Sequence, residues 1–239
     1  MIAPIAAVGL AGLAAAAPTV PAPVYPEFTT SNAFNLVLNV TDASKDLSPS
    51  VHGSFITSIH VGPPFNYVGQ TADAGSARTF YVNGTGLEVR FGNSNTVSDG
   101  GSPPFPEVLS LVKDEGSETL STLFLNAGNG GEGNYRIGVT AFPNPIPELY
   151  PTTYVACKEP LAYYGGKEFV VIKQAQTTVT KDGKMEHNIP EGCAPLRLLP
   201  QCAKLNDLPA GSQSSHDLAA TVNCYKDVSS IDWSKYSSA

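Results

Sequence analysis

Two short acidic motifs are the first candidates for catalysis in this 239-residue sequence. Asp73-Ala-Gly-Ser and Asp99-Gly-Gly-Ser have the Asp-x-Gly-Ser form in which aspartic proteases present two carboxylates that share one proton. Too little chain separates the motifs for each to occupy a lobe of its own. Asp, Gly and Ser are also typical turn residues. We therefore expect both motifs to be turns.

A carboxylate pair of another kind remains an alternative. Such a pair, used for peptide or glycoside hydrolysis, needs no local motif because its members meet only in the folded chain. The acidic residues at predicted loops and strand ends are Asp99, Glu107, Glu132, Glu148 and Glu159. Nothing in the sequence ranks one above another. We assign no catalytic residue, and an enzyme is not the favoured interpretation.

The sequence contains no recognised metal or cofactor motif. The four histidines are His52, His60, His187 and His216. Neither the histidines nor the cysteines have the spacing of a zinc site. No Gly-x-Ser-x-Gly motif indicates a serine hydrolase. The glycine-rich stretch 128–134 joins two predicted strands, whereas a dinucleotide-binding loop leads into a helix. We expect no metal and no cofactor.

An aromatic pair is a stronger candidate for a binding site than any of these motifs is for a catalytic site. Tyr163 and Tyr164 are followed by two glycines, which predicts a turn that presents both rings. Aromatic faces stack on sugar rings, and Tyr150, Tyr154 and Trp233 are expected nearby. The alternative is that Tyr is simply frequent in strands. Tyr163 and Tyr164 are the predicted ligand-binding residues, although the single Trp argues against a ricin-type lectin.

The four cysteines are Cys157, Cys193, Cys202 and Cys224. An even number in an exported chain indicates two disulfides. Three pairings are open, and the sequence does not choose between them. We favour Cys157–Cys193 with Cys202–Cys224 because sequential pairs close the shorter loops.

The N-terminal part of the sequence indicates export. Residues 1–16 combine an apolar run with alanines, which predicts a secretory signal peptide. The apolar run is shorter than the ~20 residues that a transmembrane helix needs. Residues 17–29 form a Pro-rich lead-in. Glycosylation sequons at Asn39 and Asn83 fit the same secreted, extracellular or cell-wall location.

Charge and hydropathy restrict the classes of partner that we expect for this protein. The net charge is −7 and no basic cluster is present, so we expect no nucleic-acid partner. No later segment is long and apolar enough to span a membrane. A polysaccharide or another extracellular protein is the expected partner class, and the oligomeric state is open.

Residues 30–200 predict a single all-β domain of about 10–12 short strands, because short apolar runs alternate there with turn residues. In the run 34–40, the side chains alternate, so Asn39 lies on the face opposite Phe34. Asp182-Gly183 predicts a hairpin turn.

Residues 201–239 are expected to form a disulfide-tethered helix and tail. Ser214 and Asp217 resemble a capping box. Leu218, Val222 and Tyr225 then share one face of a helix.

A weak repeat bears on the architecture. Pro-Pro-Phe occurs at 63–65 and at 103–105, and Tyr150-Pro151 is a third version. Phe124 and Phe169 repeat the offset between the second and third copies, and Phe80 is the match in the first. Three units of about 45 residues favour a pseudo-threefold, β-trefoil-like fold. A β-sandwich or jelly roll, in which similar hairpins recur, is the alternative.

Four stretches carry a resemblance to a known family: FNLVLNVTDASKDL, SPPFPEVLSL, TYVACKEP and SSHDLAATVNCYKDVSSIDW. They resemble an uncharacterised family of secreted proteins from ascomycete fungi, over roughly residues 28–233. The resemblance implies an extracellular, mostly β domain of unknown function. It supplies no active-site residues.

Two functions of different classes follow. The first is a non-catalytic secreted or cell-wall-associated glycoprotein that binds carbohydrate. The second is a small acid-active hydrolase, a peptidase or glycosidase, whose carboxylate pair is assembled from loops.

Overall fold

A computed structural model describes residues 24–128, 136–140 and 145–236. The predicted signal peptide, 1–16, lies outside the described residues, as do most of the lead-in, Glu132 and most of the stretch 128–134. Within the described part, no helix has the length and apolar character needed to cross a membrane.

The all-β prediction is confirmed, but the expected number of about 10–12 strands is too low, because the described residues also form several strands of only two or three residues. The described residues form seventeen strands: β1 (Thr29–Ser31), β2 (Ala33–Val40), β3 (Phe55–Gly62), β4 (Phe65–Thr71), β5 (Thr79–Asn83), β6 (Asn95–Gly100), β7 (Phe105–Lys113), β8 (Leu120–Ala127), β9 (Gly138–Val139), β10 (Leu149–Tyr150), β11 (Tyr154–Leu161), β12 (Lys167–Ala175), β13 (Thr178–Val179), β14 (Met185–Glu186), β15 (Ala194–Ala203), β16 (Ala219–Ala220) and β17 (Val222–Cys224).

Helix is scarce among the described residues. One short α-helix, α1 (Gly86–Arg90), begins at a capping box in which Thr85 and Glu88 bond to each other's backbone N–H. The remaining helical turns are of the 3-10 type, at Ala43–Lys45, Ala74–Ser76, Ala162–Tyr164, Val228–Ser230 and Trp233–Lys235.

Eleven strands form one antiparallel sheet that closes on itself. Its order is β11-β15-β2-β3-β4-β12-β8-β7-β6-β5-β16, and β2 also pairs with β5. Side chains from many of these strands form the main core. Phe34, Leu36 and Leu38 of β2 enter the main core, as their alternation predicted, with Phe80 and Leu109 from other strands.

Three strands of this sheet pair with one another. β4 pairs with β8, β8 with β12, and β12 with β4. Phe124 lies on β8 and Phe169 lies on β12. Phe80, the match in the first unit, lies outside these three strands, on β5, where it is opposite Phe34. Tyr67 of β4 is the residue opposite Phe124. The phenylalanines of the two Pro-Pro-Phe motifs begin β4 and β7.

The C-terminal helix is a wrong prediction. The strands β16 and β17 occupy its place, and β17 pairs with β1. Val222 and Cys224 are buried on either side of Asn223, which is the two-residue period of a strand. Leu218, expected on the buried helical face, is exposed, and the Ser214 hydroxyl has no hydrogen-bond partner among the described residues.

Other local predictions hold. The disulfides are Cys157–Cys193 and Cys202–Cys224, the favoured pairing. The first ties β11 to the start of β15, and the second ties the end of β15 to β17. The hairpin at Asp182-Gly183 joins β13 to β14.

Candidate functional site

The predicted aromatic pair lies at the surface. Tyr163 and Tyr164 belong to the 3-10 turn that joins β11 to β12. Gly165 ends that turn with φ 65°, a left-handed conformation that glycine adopts without a steric cost. Tyr163 is 58% exposed and Tyr164 is 39% exposed. Both rings are therefore open to solvent, as a surface ligand requires.

The two tyrosines are part of a larger cluster. The Tyr163 ring packs edge-on against Tyr164, with centroids 5.3 Å apart, and against His60 of β3, at 5.5 Å. The Tyr164 ring packs against the Phe169 ring, with centroids 4.7 Å apart. Lys167 Nζ lies 5.4 Å from the Phe169 centroid, within the range of a cation–π contact. We call His60, Tyr163, Tyr164, Lys167 and Phe169 the aromatic surface.

The other aromatic residues expected near this pair are not among the rings that contact it. Tyr154 is fully buried in the main core. Trp233 packs edge-on against Tyr225, with centroids 6.1 Å apart. Tyr150 is exposed on β10. The cluster around Tyr163 is instead completed by His60 and Phe169, because β3 and β12 run beside the turn.

His60 connects the aromatic surface to a buried polar network. His60 Nδ1 lies 3.1 Å from Oδ1 of Asn66. Asn66 Nδ2 donates to Glu107 Oε1 at 3.1 Å and to the Leu125 carbonyl at 3.0 Å. Asn66 and Glu107 are both buried. These hydrogen bonds restrain the His60 side chain, so the buried network fixes the position of one residue of the aromatic surface.

Arg78 neutralises Glu107 at the centre of the network. The two side chains form an ion pair, and Arg78 also donates to Ser98 Oγ and to the Asp99 carbonyl, each at 3.1 Å. Burial raises the pKa of Glu107, while the charge and hydrogen bonds of Arg78 act in the opposite direction. Gly100 makes room for this carboxyl, since a Cβ there would lie 2.4 Å from Glu107 Cδ.

Asp99 lies near the end of strand β6, and only the residues from 101 onward form a turn, so the prediction that Asp99 itself lies in a turn is wrong. Asp73 does cap the 3-10 turn at Ala74–Ser76, as expected. Asp99 Oδ2 lies 2.9 Å from His216 Nε2, and both side chains are largely buried. The His216 ring also packs against Tyr81 at 4.8 Å. This contact fastens the segment before β16 onto the sheet.

The two Pro-Pro-Phe motifs flank one end of the β7–β8 hairpin. The Pro64 carbonyl accepts a hydrogen bond from Ala127 N at 3.3 Å. In the second motif, the Pro104 carbonyl accepts from Gln213 N at 2.7 Å, and Pro106 accepts from Gly128 N at 2.9 Å. Glu107 lies opposite Ala127 in that hairpin. The motifs therefore border the buried network.

A second buried charge cluster lies where the three mutually paired strands meet. Lys173 Nζ forms ion pairs with Asp114, at 2.7 Å, and with Glu159. Burial lowers the pKa of Lys173, but the two carboxylates raise it more, and the net shift is upward. Lys173 is therefore a charged, structural residue.

A pocket of about 440 Å³ shares no lining residue with the aromatic surface. It is lined by residues that include Asp42, Thr153, Glu148 and Arg197. Glu148 Oε2 lies 3.5 Å from Arg197 Nε and has no hydrogen-bond partner among the described residues. Burial raises the pKa of Glu148. We call this cavity the Glu148 pocket.

The four candidate carboxylates that lie in the described part of the chain each face a basic side chain. Asp99 faces His216, Glu107 faces Arg78, Glu148 faces Arg197 and Glu159 faces Lys173. No group of three or more His, Cys, Asp or Glu side chains is arranged for a metal ion in the described part of the chain.

The side chains that pair with these acids could not be identified from the sequence. Arg78 and Asn66 lie in separate strands or loops, and only pairing between strands brings them to Glu107. His216 was named, but without a partner. Its position between two polar residues in a segment expected to be helical gave no sign of Asp99.

The described residues thus form a closed, all-β, disulfide-bonded domain with an exposed aromatic cluster above a buried ionic network. The chain belongs to the family described as Domain of unknown function (DUF7907), whose model matches residues 31–202. It is 49% identical over 214 residues to "Antigenic protein SchS34" of Stachybotrys chartarum, covering 90% of this chain and 95% of that protein. No solved structure matches the chain.

Proposed function

We propose that this protein is a secreted, non-catalytic protein that binds carbohydrate through the aromatic surface. The observation that carries the proposal is the exposed ring cluster of Tyr163, Tyr164 and Phe169, restrained from below by His60 and the buried network. An exposed aromatic cluster is uncommon on a soluble domain unless it contacts something. The buried ion pairs of Glu107 with Arg78 and of Lys173 with Asp114 are already satisfied, which favours a scaffold role over catalysis for these residues.

Sugars fit the chemistry of this surface. A sugar ring has an apolar C–H face, which aromatic rings can cover, and hydroxyl groups at its edge, which need polar partners. The aromatic surface supplies both, because His60 and Lys167 stand beside the rings. Its location on a rigid hairpin turn lowers the entropy that binding must offset.

Two observations support a secreted, extracellular or cell-wall location. Both disulfides are of the kind that persists in oxidising compartments. The relative from Stachybotrys chartarum is described as antigenic, which fits a protein that reaches the outside of the cell.

We also propose that the fold is a β-trefoil. The mutual pairing of β4, β8 and β12 supports a threefold arrangement of hairpins over a closed barrel. A β-sandwich would instead place two separate sheets face to face. The residues 30–200 would form the trefoil, and 201–239 would wrap around it.

An acid-active hydrolase is the second candidate. Asp42 and Glu148 both border the Glu148 pocket. Hydrogen bonds from Ser44 lower the pKa of Asp42, whereas burial raises the pKa of Glu148. Two carboxyls with pKa values moved in opposite directions are the pattern of an acid and its partner base. Loss of a hydrolytic activity at pH 4–5 in Glu148→Gln, with the aromatic surface intact, would favour this candidate.

The binding proposal is tested by a carbohydrate panel. Purified full-length protein is incubated with insoluble chitin, β-1,3-glucan and mannan, and with a glycan array. We expect retention on at least one of these polymers that a soluble form of the same sugar reverses. Absence of binding across the whole panel would contradict the proposal.

A further inference from the structure

The two glycosylation sequons lie in different environments. Asn39 belongs to β2, between β15 and β3, and lies opposite Arg197 of β15. It is only 5% exposed. A sugar linked to a side chain in this position would collide with the neighbouring strand. A chain modified there could not form the β2–β15 ladder that supports the main core.

Asn83 is placed differently. It is the last residue of β5, its side chain is exposed, and the chain turns away immediately after it. The turn depends on Gly84, because a Cβ at that position would lie 2.9 Å from Cβ of Ser94. Thr85, the third residue of the sequon, is also exposed and caps α1. Modification at Asn83 is therefore compatible with every strand pairing.

We infer that Asn83, and not Asn39, carries an N-linked glycan in the folded protein, and that its first sugars lie in the groove beside α1. This groove has a volume of about 730 Å³ and begins at the residue after Asn83. It is lined by Gly84, Thr85, Gly86, Val89, Arg90 and residues 217–221.

The composition of the groove suits a covalently attached sugar. Leu218 and Val89 offer apolar surface to a sugar face, and Leu218 is half exposed. Arg90 and Asp217 offer polar groups to its hydroxyls. The Gly84 N–H donates to the Leu218 carbonyl at 3.0 Å, which joins the two walls next to Asn83. A glycan anchored at one end of this groove has its first units held close to both walls by the covalent bond.

A glycan in this place would act on the C-terminal segment. β16 pairs with β5 only at Asn83 and Val82. Sugars that span from α1 to residues 217–221 would hold this short strand against the sheet. The inference rests on the proposed secretion of the chain, but it is independent of carbohydrate binding, since the groove and the aromatic surface share no residue.

Peptide mapping of the full chain tests the modification. The protein is secreted from a yeast host, and mass spectrometry reads the occupancy of each sequon before and after enzymatic removal of N-glycans. We expect a glycan at Asn83, an unmodified Asn39, and loss of the glycan in Asn83→Gln and in Thr85→Ala. Thr85→Ser, which keeps both the sequon and the cap, should retain it. A glycan at Asn39 in secreted, folded protein, or an unmodified Asn83, would overturn the inference.

Hydrogen exchange tests the groove. We expect amides of residues 217–221 to exchange several-fold faster after the glycan is trimmed to its first sugar and further after its removal, while amides of β12 are unchanged. Equal exchange in the glycosylated and fully deglycosylated forms would contradict placement of the sugars in the groove.

Discussion

Asp114 binds the side chains of two residues that lie opposite each other, Lys173 of β12 and Thr122 of β8. Asp114 Oδ2 accepts from Lys173 Nζ, and Oδ1 accepts from Thr122 Oγ1, each at 2.7 Å. The pair occupies the region where β4, β8 and β12 meet. Because Glu159 also contacts Lys173, one ammonium group holds two carboxylates together in the middle of this arrangement.

Replacing Lys173 by methionine should therefore destabilise the domain strongly. Lys173→Met keeps the length of the side chain but leaves Asp114 and Glu159 close together without a counter-charge. We expect the free energy of unfolding to fall by about 3 kcal/mol, as for other buried pairs that lose one partner. Urea denaturation at neutral pH measures this loss.

Lys184→Met is the matched control. Lys184 also pairs with an aspartate, but its side chain is 82% exposed. We expect a change below about 0.5 kcal/mol, because exposed ion pairs contribute little. Equal losses in the two variants would show that the buried cluster is not the source of the effect.

The stability of the protein should depend on the charge of Glu148. Its folded pKa is raised from the ordinary 4.5, so the neutral carboxyl favours folding below that pH, and this contribution is lost as pH rises through the folded pKa. Glu148→Gln cannot ionise. We expect the stability of the variant relative to wild type to improve between pH 3.5 and pH 7.5, measured by urea unfolding.

For Glu118→Gln we expect the opposite pH trend: the stability of this variant relative to wild type should fall as the pH rises. Hydrogen bonding and attraction from Lys113 lower the pKa of this exposed carboxyl, so its small contribution is present at neutral pH and is lost as the pH falls. An identical pH trend for the two variants would refute the assignment of burial as the cause at Glu148.

Removal of the second disulfide should loosen the C-terminal segment. Cys202→Ser with Cys224→Ser opens a loop between cysteines 22 residues apart in sequence. Chain-entropy arguments give a loss of about 3 kcal/mol. We expect a lower thermal midpoint, together with protease cleavage that begins between residues 204 and 221. Cleavage that begins in β2 or β3 instead would contradict this description.

His216 should fasten the same segment by a different means. Its contact with Asp99 is lost in His216→Ala, and a hydrogen bond to a charged group contributes about 1.5–3 kcal/mol. We expect faster hydrogen exchange in β16 and unchanged exchange in β12. Unaltered exchange in β16 would mean that Asp99 and His216 do not restrain it.

Local patterns predicted local structure well. The alternation around Phe34, the hairpin at Asp182-Gly183 and the disulfide pairing each follow from a short stretch of sequence or from loop length. The prediction of a C-terminal helix was wrong because the helical spacing of Leu218, Val222 and Tyr225 is also compatible with a strand followed by a turn. Pairing with β1 and the bond from Cys224 to Cys202 decided between them.

The candidate site depended on long-range pairing, which the sequence does not display. Tyr163 and Tyr164 could be selected because two glycines follow them. His60 and Phe169 joined them only because β3 and β12 lie beside their turn. The partners of Glu107 come from β4 and from the residue before β5, and no spacing along the chain relates them.

The most direct test of the account is quantitative binding of three proteins to the polysaccharide that retains wild type in the panel of chitin, β-1,3-glucan and mannan. The double variant Tyr163→Ala/Tyr164→Ala removes two exposed rings and should bind at least tenfold more weakly while keeping the wild-type thermal midpoint. Phe91→Ala removes an exposed ring outside the aromatic surface and should bind as wild type does. Undiminished binding by the double variant, or an equal loss in Phe91→Ala, would contradict carbohydrate recognition by the aromatic surface.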